Sequence, residues 1–150
     1  MSGTTLRAII TFVFLFHGVA HLVGVIPAIG LVDAEKSSVP SWAKNWSSRS
    51  WLLTDRLGDS AARVISIILL LASLVGFVGA GLGLADWLVP HDAWRTLAVV
   101  SAVISLVNIS LYWNVFIRFF PQKAGCIGVN VATLVCLLIA NWPSEADIGF

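Results

Sequence analysis

The distribution of charge constrains this chain more than any other feature of its 150 residues. It has nine Lys or Arg and eight Asp or Glu residues, and none of them falls in four long apolar stretches: residues 8–32, 64–85, 96–117 and 124–144. Crossing the hydrocarbon core of a bilayer, about 30 Å thick, takes roughly 20 consecutive apolar residues in a helix. Every stretch is at least 21 residues long. The sequence therefore predicts an integral membrane protein with four spans.

The four stretches have the pattern of helices. They are continuous in apolarity and lack the period-two alternation of a membrane barrel strand. A backbone in hydrocarbon must satisfy its own hydrogen bonds, and a helix does so within one segment. The connections at 86–95 and 118–123 are short, which favours antiparallel neighbours. We expect an all-α fold, a single membrane domain over residues 1–150 that forms an antiparallel four-helix bundle.

The long connection, residues 33–63, is rich in tryptophan and in Lys or Arg. Trp42 and Trp46 are four residues apart, with Trp51 close behind, and indole rings favour the headgroup region of a bilayer. We therefore expect an interfacial, Trp-rich loop between the first two spans. Anchors at the opposite interface are expected at Trp87, Trp94 and Trp142, and His91 is expected to be solvated.

Charge also sets the expected orientation and excludes one class of partner. Seven Lys or Arg residues lie on the side of 33–63 and 118–123, against two on the side of the termini. Positively charged loops stay cytoplasmic, so both termini are predicted on the outer side of a plasma or inner membrane. A net charge of +1 provides no basic surface for nucleic acid.

Polar side chains inside the apolar stretches are the candidates for function, because they are costly there without partners. They lie on one face of the first span, in a stripe on the third and on one face of the fourth: His17 and His21; Ser105, Asn108 and Tyr112; Asn130 and Thr133. Measured from the midpoints of the stretches, His21, Asn108 and Asn130 are all displaced toward the same membrane face. We expect these side chains to meet in one polar layer.

Three interpretations of this layer stay open at this stage. It can hold the helices together, since polar side chains hydrogen-bond between membrane helices. It can line a pocket for a quinone or another lipophile. It can also ligate metal or haem through His17 and His21, since imidazole is a common ligand. The metal interpretation is the least favoured, because a structural zinc site needs four ligands and no Cys, Asp or Glu is expected at matching depth.

The second span is rich in small residues at helical spacing, namely Gly76, Gly79, Ala80 and Gly83. Small side chains let two helix backbones approach closely, within one bundle or between subunits. Packing inside the bundle is the commoner use. A homo-oligomer is the alternative.

The first span resembles that of the small DoxX-like membrane proteins. Arg7 opens it, and the segment from His17 to Leu22 reads His-Gly-Val-Ala-His-Leu. The chain also resembles uncharacterised four-helix proteins with a His-Gly-x-x-His-Leu opening, a Trp at the third span and an Ala-Gly-x-x-x-x-Asn segment in the fourth, here Trp94, Ala124, Gly125 and Asn130. It departs from DoxX in carrying His21 where a Lys is usual, and in its long loop. The resemblance implies a four-helix fold and an accessory subunit of a membrane redox system, as in thiosulfate:quinone oxidoreduction.

The function expected from these observations is an accessory or small-lipophile-binding component of the membrane. Its polar layer would bind a quinone-like or lipid-like molecule, and its partners would be the bilayer and either another membrane protein or a second copy of the chain. One alternative is an intramembrane oxidoreductase or isomerase that uses His17 and His21. The other is a subunit of an oligomeric channel or transporter.

Overall fold

The computed structural model describes residues 2–31, 49–113 and 123–150, and every regular element in these ranges is a helix. The helices in chain order are α1 (Gly3–Ala20), α2 (Leu22–Ala28), α3 (Thr54–Leu57), α4 (Asp59–Leu84), α5 (Trp94–Leu111), α6 (Ala124–Leu134) and α7 (Glu145–Ile148). A 3-10 turn, His91–Ala93, precedes α5, and a π-helical turn, Val135–Ile139, continues α6. The expected all-α class is confirmed for the described residues.

Three of these helical segments are long and apolar enough to cross a membrane: Gly3–Ala28, Asp59–Leu84 and His91–Leu111. Their outward surfaces carry large apolar side chains, including Phe12, Phe16 and Val75, each about two-thirds exposed. A surface of this kind is stable against lipid and not against water. A fourth apolar segment, Ala124–Ile139, is shorter. At 1.5 Å per residue it is about 24 Å long.

The ends of the helical segments do not coincide with the ends of the four apolar stretches. The first and second helical segments begin at Gly3 and Asp59, five residues before the predicted starts at 8 and 64. Charged residues at the membrane surface can belong to a helix, so a rule based on charge places these starts too late. The fourth helical segment ends at Ile139 instead of 144, because Asn141 adopts a positive φ and ends the helical path. The third span was predicted to reach 117, and residues 114–117 lie outside the described part of the chain.

Neighbouring helices run antiparallel, as the contacts of small residues show. Gly18 of α1 lies against Val78 of α4, and Gly24 further along lies against Leu70. The same reversal holds for the next pair, since Gly83 at the end of α4 meets Trp94 at the start of α5. α1 packs on α4, α4 on α5, and α5 on α6.

The first helical path breaks at His21, where α1 ends and α2 begins. The backbone N–H of His21 donates to Gly18 O at 3.1 Å, a tighter turn than an α-helical one. Its side chain Nδ1 lies 2.9 Å from the carbonyl oxygen of His17. The imidazole ring of His21 is therefore held against the preceding helical turn by this contact with the backbone.

The long connection is described only from residue 49 onward. Its predicted Trp42 and Trp46 lie outside the described residues. Trp51 is exposed, and its indole N–H donates to Ser110 O at 2.7 Å. This contact fixes the end of the connection against the end of α5.

Two residues at the opposite end of the bundle differ from expectation. Trp94 is 1% exposed and belongs to the core, because Gly83 leaves room for it, so its predicted role as an interfacial anchor is wrong. His91 is not simply solvated. Its Nε2 lies 2.8 Å from a Glu145 carboxylate oxygen, and its ring stacks on Phe150 with centroids 3.7 Å apart.

The C-terminal helix α7 closes this end of the bundle over the start of α1. Ile148 is fully buried, and Arg7 lies over the ring of Phe150. A reciprocal capping box begins α7: Asp147 N donates to the Ser144 hydroxyl, and Ser144 N donates to the Asp147 carboxylate at 2.8 Å. Hydrogen bonds that the Ser144 hydroxyl and then the Ser144 backbone N–H donate to the Asp147 carboxylate hold the pKa of Asp147 below its usual range.

The four small residues of the second span line the α4 contact with the rest of the bundle. A Cβ atom built on Gly76 would overlap Ser101 Oγ, and one on Gly79 would lie 3.2 Å from Leu97. Gly83 meets Pro90 and Trp94, and Ala80 is fully buried. The small residues of α4 therefore allow its close packing against other parts of the same chain.

Substitution of Gly76 by valine tests this close approach. The added side chain must displace Ser101, whose hydroxyl donates to Leu97 O, so we expect a loss of about 1–3 kcal/mol in the free energy of unfolding. The matched control is Gly128→Val in α6, where a Cβ atom meets nothing within 4 Å and where glycine is itself a poor helix former. Unfolding in mixed micelles, followed by circular dichroism, measures both. Equal stabilities of the two variants would contradict the packing.

Candidate functional site

A closed ring of hydrogen bonds joins three helices inside the bundle. Nε2 of His17 lies 3.2 Å from Asn130 Oδ1, and Asn130 Nδ2 donates to Ser105 Oγ at 2.8 Å. Ser105 Oγ lies 3.1 Å from His21 Nε2, and His21 Nδ1 lies 2.9 Å from the carbonyl oxygen of His17. The ring therefore links α1 to α6, α6 to α5, and α5 back to α1.

The acceptors in this ring determine where its protons lie. A carbonyl oxygen can only accept, so Nδ1 of His21 donates to His17 O and Nε2 of a neutral His21 must accept from the Ser105 hydroxyl. The amide oxygen of Asn130 also accepts, so His17 donates from Nε2. The two neutral histidines thus adopt opposite tautomers. One nitrogen of each, Nδ1 of His17 and Nε2 of His21, carries a lone pair.

Burial explains why this ring is strongly specified. Asn130 is fully buried, Ser105 is 1% exposed, and both histidines are 7% exposed. Phe77 of α4 packs against both imidazoles, with centroids 4.7 Å from His17 and 5.9 Å from His21. A polar group in such surroundings is costly unless it is paired. Each side chain of the ring is paired with a side chain on another helix. His21 is also paired with the carbonyl oxygen of His17 at the helix break.

Three other side chains are predicted to belong to the polar layer: Asn108, Tyr112 and Thr133. Within the described residues, none of them is hydrogen-bonded to the ring. Asn108 is one helical turn beyond Ser105 and 3% exposed, and its Oδ1 has no hydrogen-bond partner in the described part of the chain. The Tyr112 hydroxyl donates to Ala62 O in the first turn of α4, because α5 ends at Leu111 and turns the side chain toward that helix. Thr133 Oγ1 donates to Val129 O within α6 at 2.9 Å.

Cys126 is a further member that sequence reasoning missed. Its Sγ lies 3.7 Å from Ser105 Oγ and 3.6 Å from Asn130 Nδ2, and it falls within 4.8 Å of a ring nitrogen of each histidine. The expectation that no cysteine lies at the depth of His17 and His21 is therefore wrong.

The reason is the placement of the span midpoints. From the helical segments Gly3–Ala28 and Ala124–Ile139, the midpoints fall between residues 15 and 16 and between 131 and 132. His21 then lies between five and six residues past its midpoint, and Cys126 between five and six before its own. Because the two helices run oppositely, these positions share one level. The boundaries predicted from charge place the first midpoint more than four residues later along the chain. They therefore do not put Cys126 at the level of His21.

An apolar groove opens beside the ring, between α1 and the helical path Ala124–Ile139. It has a volume of about 180 Å³ and is lined by Ile10, Val13, Phe14, Val129, Ala132, Thr133, Cys136, Leu137, Trp142 and Pro143. Val13 and Phe14 lie one turn before His17, and Val129 and Thr133 flank Asn130. These lining residues are thus near His17 and Asn130 along α1 and α6, whereas His17 and Asn130 themselves are buried behind the groove wall.

Comparison with known proteins gives no match to a family model, a curated protein or a solved structure.

Replacement of Asn130 by leucine tests whether the ring stabilises the bundle. The variant leaves the Nε2 proton of His17 unpaired and removes a donor to Ser105, so we expect a loss of about 1–3 kcal/mol, the cost of stranding a buried polar group. The control is Thr133→Val in the same helix, which removes a bond within one helix and should cost no more than about 0.6 kcal/mol. Unfolding in mixed micelles is the measurement. A stability of Asn130→Leu equal to that of the control would show that the ring contributes nothing.

Proposed function

We propose that this chain is a four-span accessory protein of a plasma or inner membrane that binds a small lipophile with a polar head, of the quinone type. The groove beside the His17–Asn130 hydrogen bond carries the proposal. Its apolar wall includes Val13 and Phe14, one turn before His17, and Val129, next to Asn130, so a ligand that displaces this wall would reach a donor and an acceptor. Small-molecule sites combine these two features, an apolar lining and a few placed polar groups.

The site would recognise the ligand through one exchange of hydrogen bonds. A carbonyl of the head accepts from Nε2–H of His17 in place of Asn130 Oδ1, while the apolar part lies along Phe14 and Leu137. A volume of about 180 Å³ holds a single ring or a short tail segment, and the rest of the molecule stays in the bilayer.

We also propose which segment forms the fourth span, how the chain is oriented and what it associates with. In this proposal the segment Ala124–Ile139 is the fourth span, and both termini lie on the outer side. The resemblance to DoxX-like proteins supports an accessory place in a membrane redox system, where a quinone is the shared carrier. The packing of the small residues of α4 within the chain favours association with another membrane protein over self-association through that face.

Binding of a short-chain benzoquinone to the detergent-solubilised protein tests this function. Trp142 lines the groove, so saturable quenching of tryptophan fluorescence is expected. Ala132→Phe fills the groove and should weaken binding at least about tenfold, the equivalent of 1.4 kcal/mol. The control, Val131→Phe, alters an exposed neighbour that does not line the groove and should bind as the native chain does.

Two outcomes would contradict the proposal. One is quenching that rises linearly with quinone concentration, as collisions in the micelle produce. The other is equal weakening in Ala132→Phe and Val131→Phe, which would place the ligand elsewhere. Mass spectrometry of molecules that co-purify in mild detergent then identifies the native ligand.

A further inference from the structure

Three side chains with metal-ligating atoms converge beside the hydrogen-bonded ring. One ring nitrogen each of His17 and His21 and Sγ of Cys126 all lie within 4.8 Å of one another. Metal bonds of about 2.0 Å to imidazole and about 2.3 Å to thiolate put ligands of one ion roughly 3.3–3.8 Å apart. Side-chain movements of about 1 Å therefore bring the three ligand atoms to the distances found around one ion. We propose that this chain binds one Cu(I) ion through His17, His21 and Cys126.

The hydrogen bonds of the ring orient the ligands for this role. The bond from Nδ1 of His21 to His17 O leaves Nε2 as its ligand atom, and the bond from Nε2 of His17 to Asn130 leaves Nδ1. Metal-bound histidines characteristically donate their other N–H to a carbonyl or carboxylate in this way, which fixes the tautomer and the ring plane. Both histidines already have such a partner on an oxygen atom.

The thiolate would have its own donors. Asn130 Nδ2 lies 3.6 Å from Sγ of Cys126, and the Ser105 hydroxyl lies 3.7 Å from it. When the ion takes Nε2 of His21, the Ser105 hydroxyl is released from that nitrogen and turns to the sulfur. Cys126 loses its thiol proton to water as the copper–sulfur bond forms, so Cu(I) and the thiol yield a Cu–thiolate and one proton.

Charge selects Cu(I) over the divalent metals. A Cu(I) ion bound by one thiolate and two neutral imidazoles has no net charge, whereas Zn²⁺ in the same site keeps a charge of +1. The four apolar stretches contain no Asp or Glu that could neutralise it. An uncompensated charge at membrane depth is expensive. A soft thiolate ligand also favours Cu(I).

The copper site shares His17 with the proposed lipophile site, but the two proposals can fail separately. It uses Cys126, which does not line the groove, whereas the groove is lined by the other cysteine, Cys136. A chain with a filled groove, Ala132→Phe, is expected to bind copper unchanged. The copper titration is carried out without quinone.

The test is titration of the reduced, detergent-solubilised full chain with Cu(I) against a chromophoric Cu(I) chelator. We expect one ion per chain, and X-ray absorption of the loaded protein should show one sulfur and two nitrogen ligands. Cys126→Ser should weaken binding by more than about 100-fold, beyond the 10–100-fold typical of a residue that only supports a ligand. Cys136→Ser is the matched control and should bind as the native chain does.

Several results would overturn the site. These are no retained copper, equal effects of the two cysteine substitutions, or a copper spectrum without sulfur. Tighter Cys126-dependent binding of Zn²⁺ than of Cu(I) would overturn the choice of metal. The X-ray absorption measurement on the native chain decides between sulfur and non-sulfur ligation even if Cys126→Ser fails to fold.

Discussion

Polar side chains surrounded by hydrocarbon and packed helices have no water to bond with, and the arrangement of this bundle depends on that constraint. Four such side chains satisfy one another in a ring that crosses three helices. The helix break at His21 belongs to the same solution, because it brings Nδ1 of that ring to the carbonyl of His17. Phe77 then seals the imidazoles against α4. Register between α1, α5 and α6 follows from these pairings.

The same side chains serve as interhelical contacts and as the candidate site, and the two roles are compatible. A ring whose donors all point to defined acceptors has a single arrangement of protons, which is the preorganisation that a ligand or a metal ion requires. The apolar groove is lined by Val129 and Thr133 on α6, whereas Cys126 lies within 4 Å of Ser105 and of the Asn130 amide nitrogen. A lipophile and a Cu(I) ion would therefore bind at different edges of one cluster of side chains.

Much of this arrangement is predictable from residue spacing, and the rest depends on tertiary detail. The four-residue spacing of His17 and His21 places both rings on one helical face, and the stripe on α5 points Ser105 to them. Cys126 could not be assigned to this level, because charge marks the ends of apolar stretches and not of helices. Trp94 is buried for a reason that spacing does not show. Whether a residue near a helix end turns inward depends on its neighbour, here Gly83.

The tautomers of the two membrane histidines test this account most directly. Nitrogen-15 NMR of the metal-free protein in lipid bilayers at neutral pH distinguishes protonated from unprotonated ring nitrogens. The hydrogen-bonded ring predicts opposite tautomers, with the proton on Nε2 of His17 and on Nδ1 of His21, and His91→Asn removes the third histidine from the spectrum. The same tautomer for both residues, or averaged signals from rapid exchange, would contradict the ring and the site built on it.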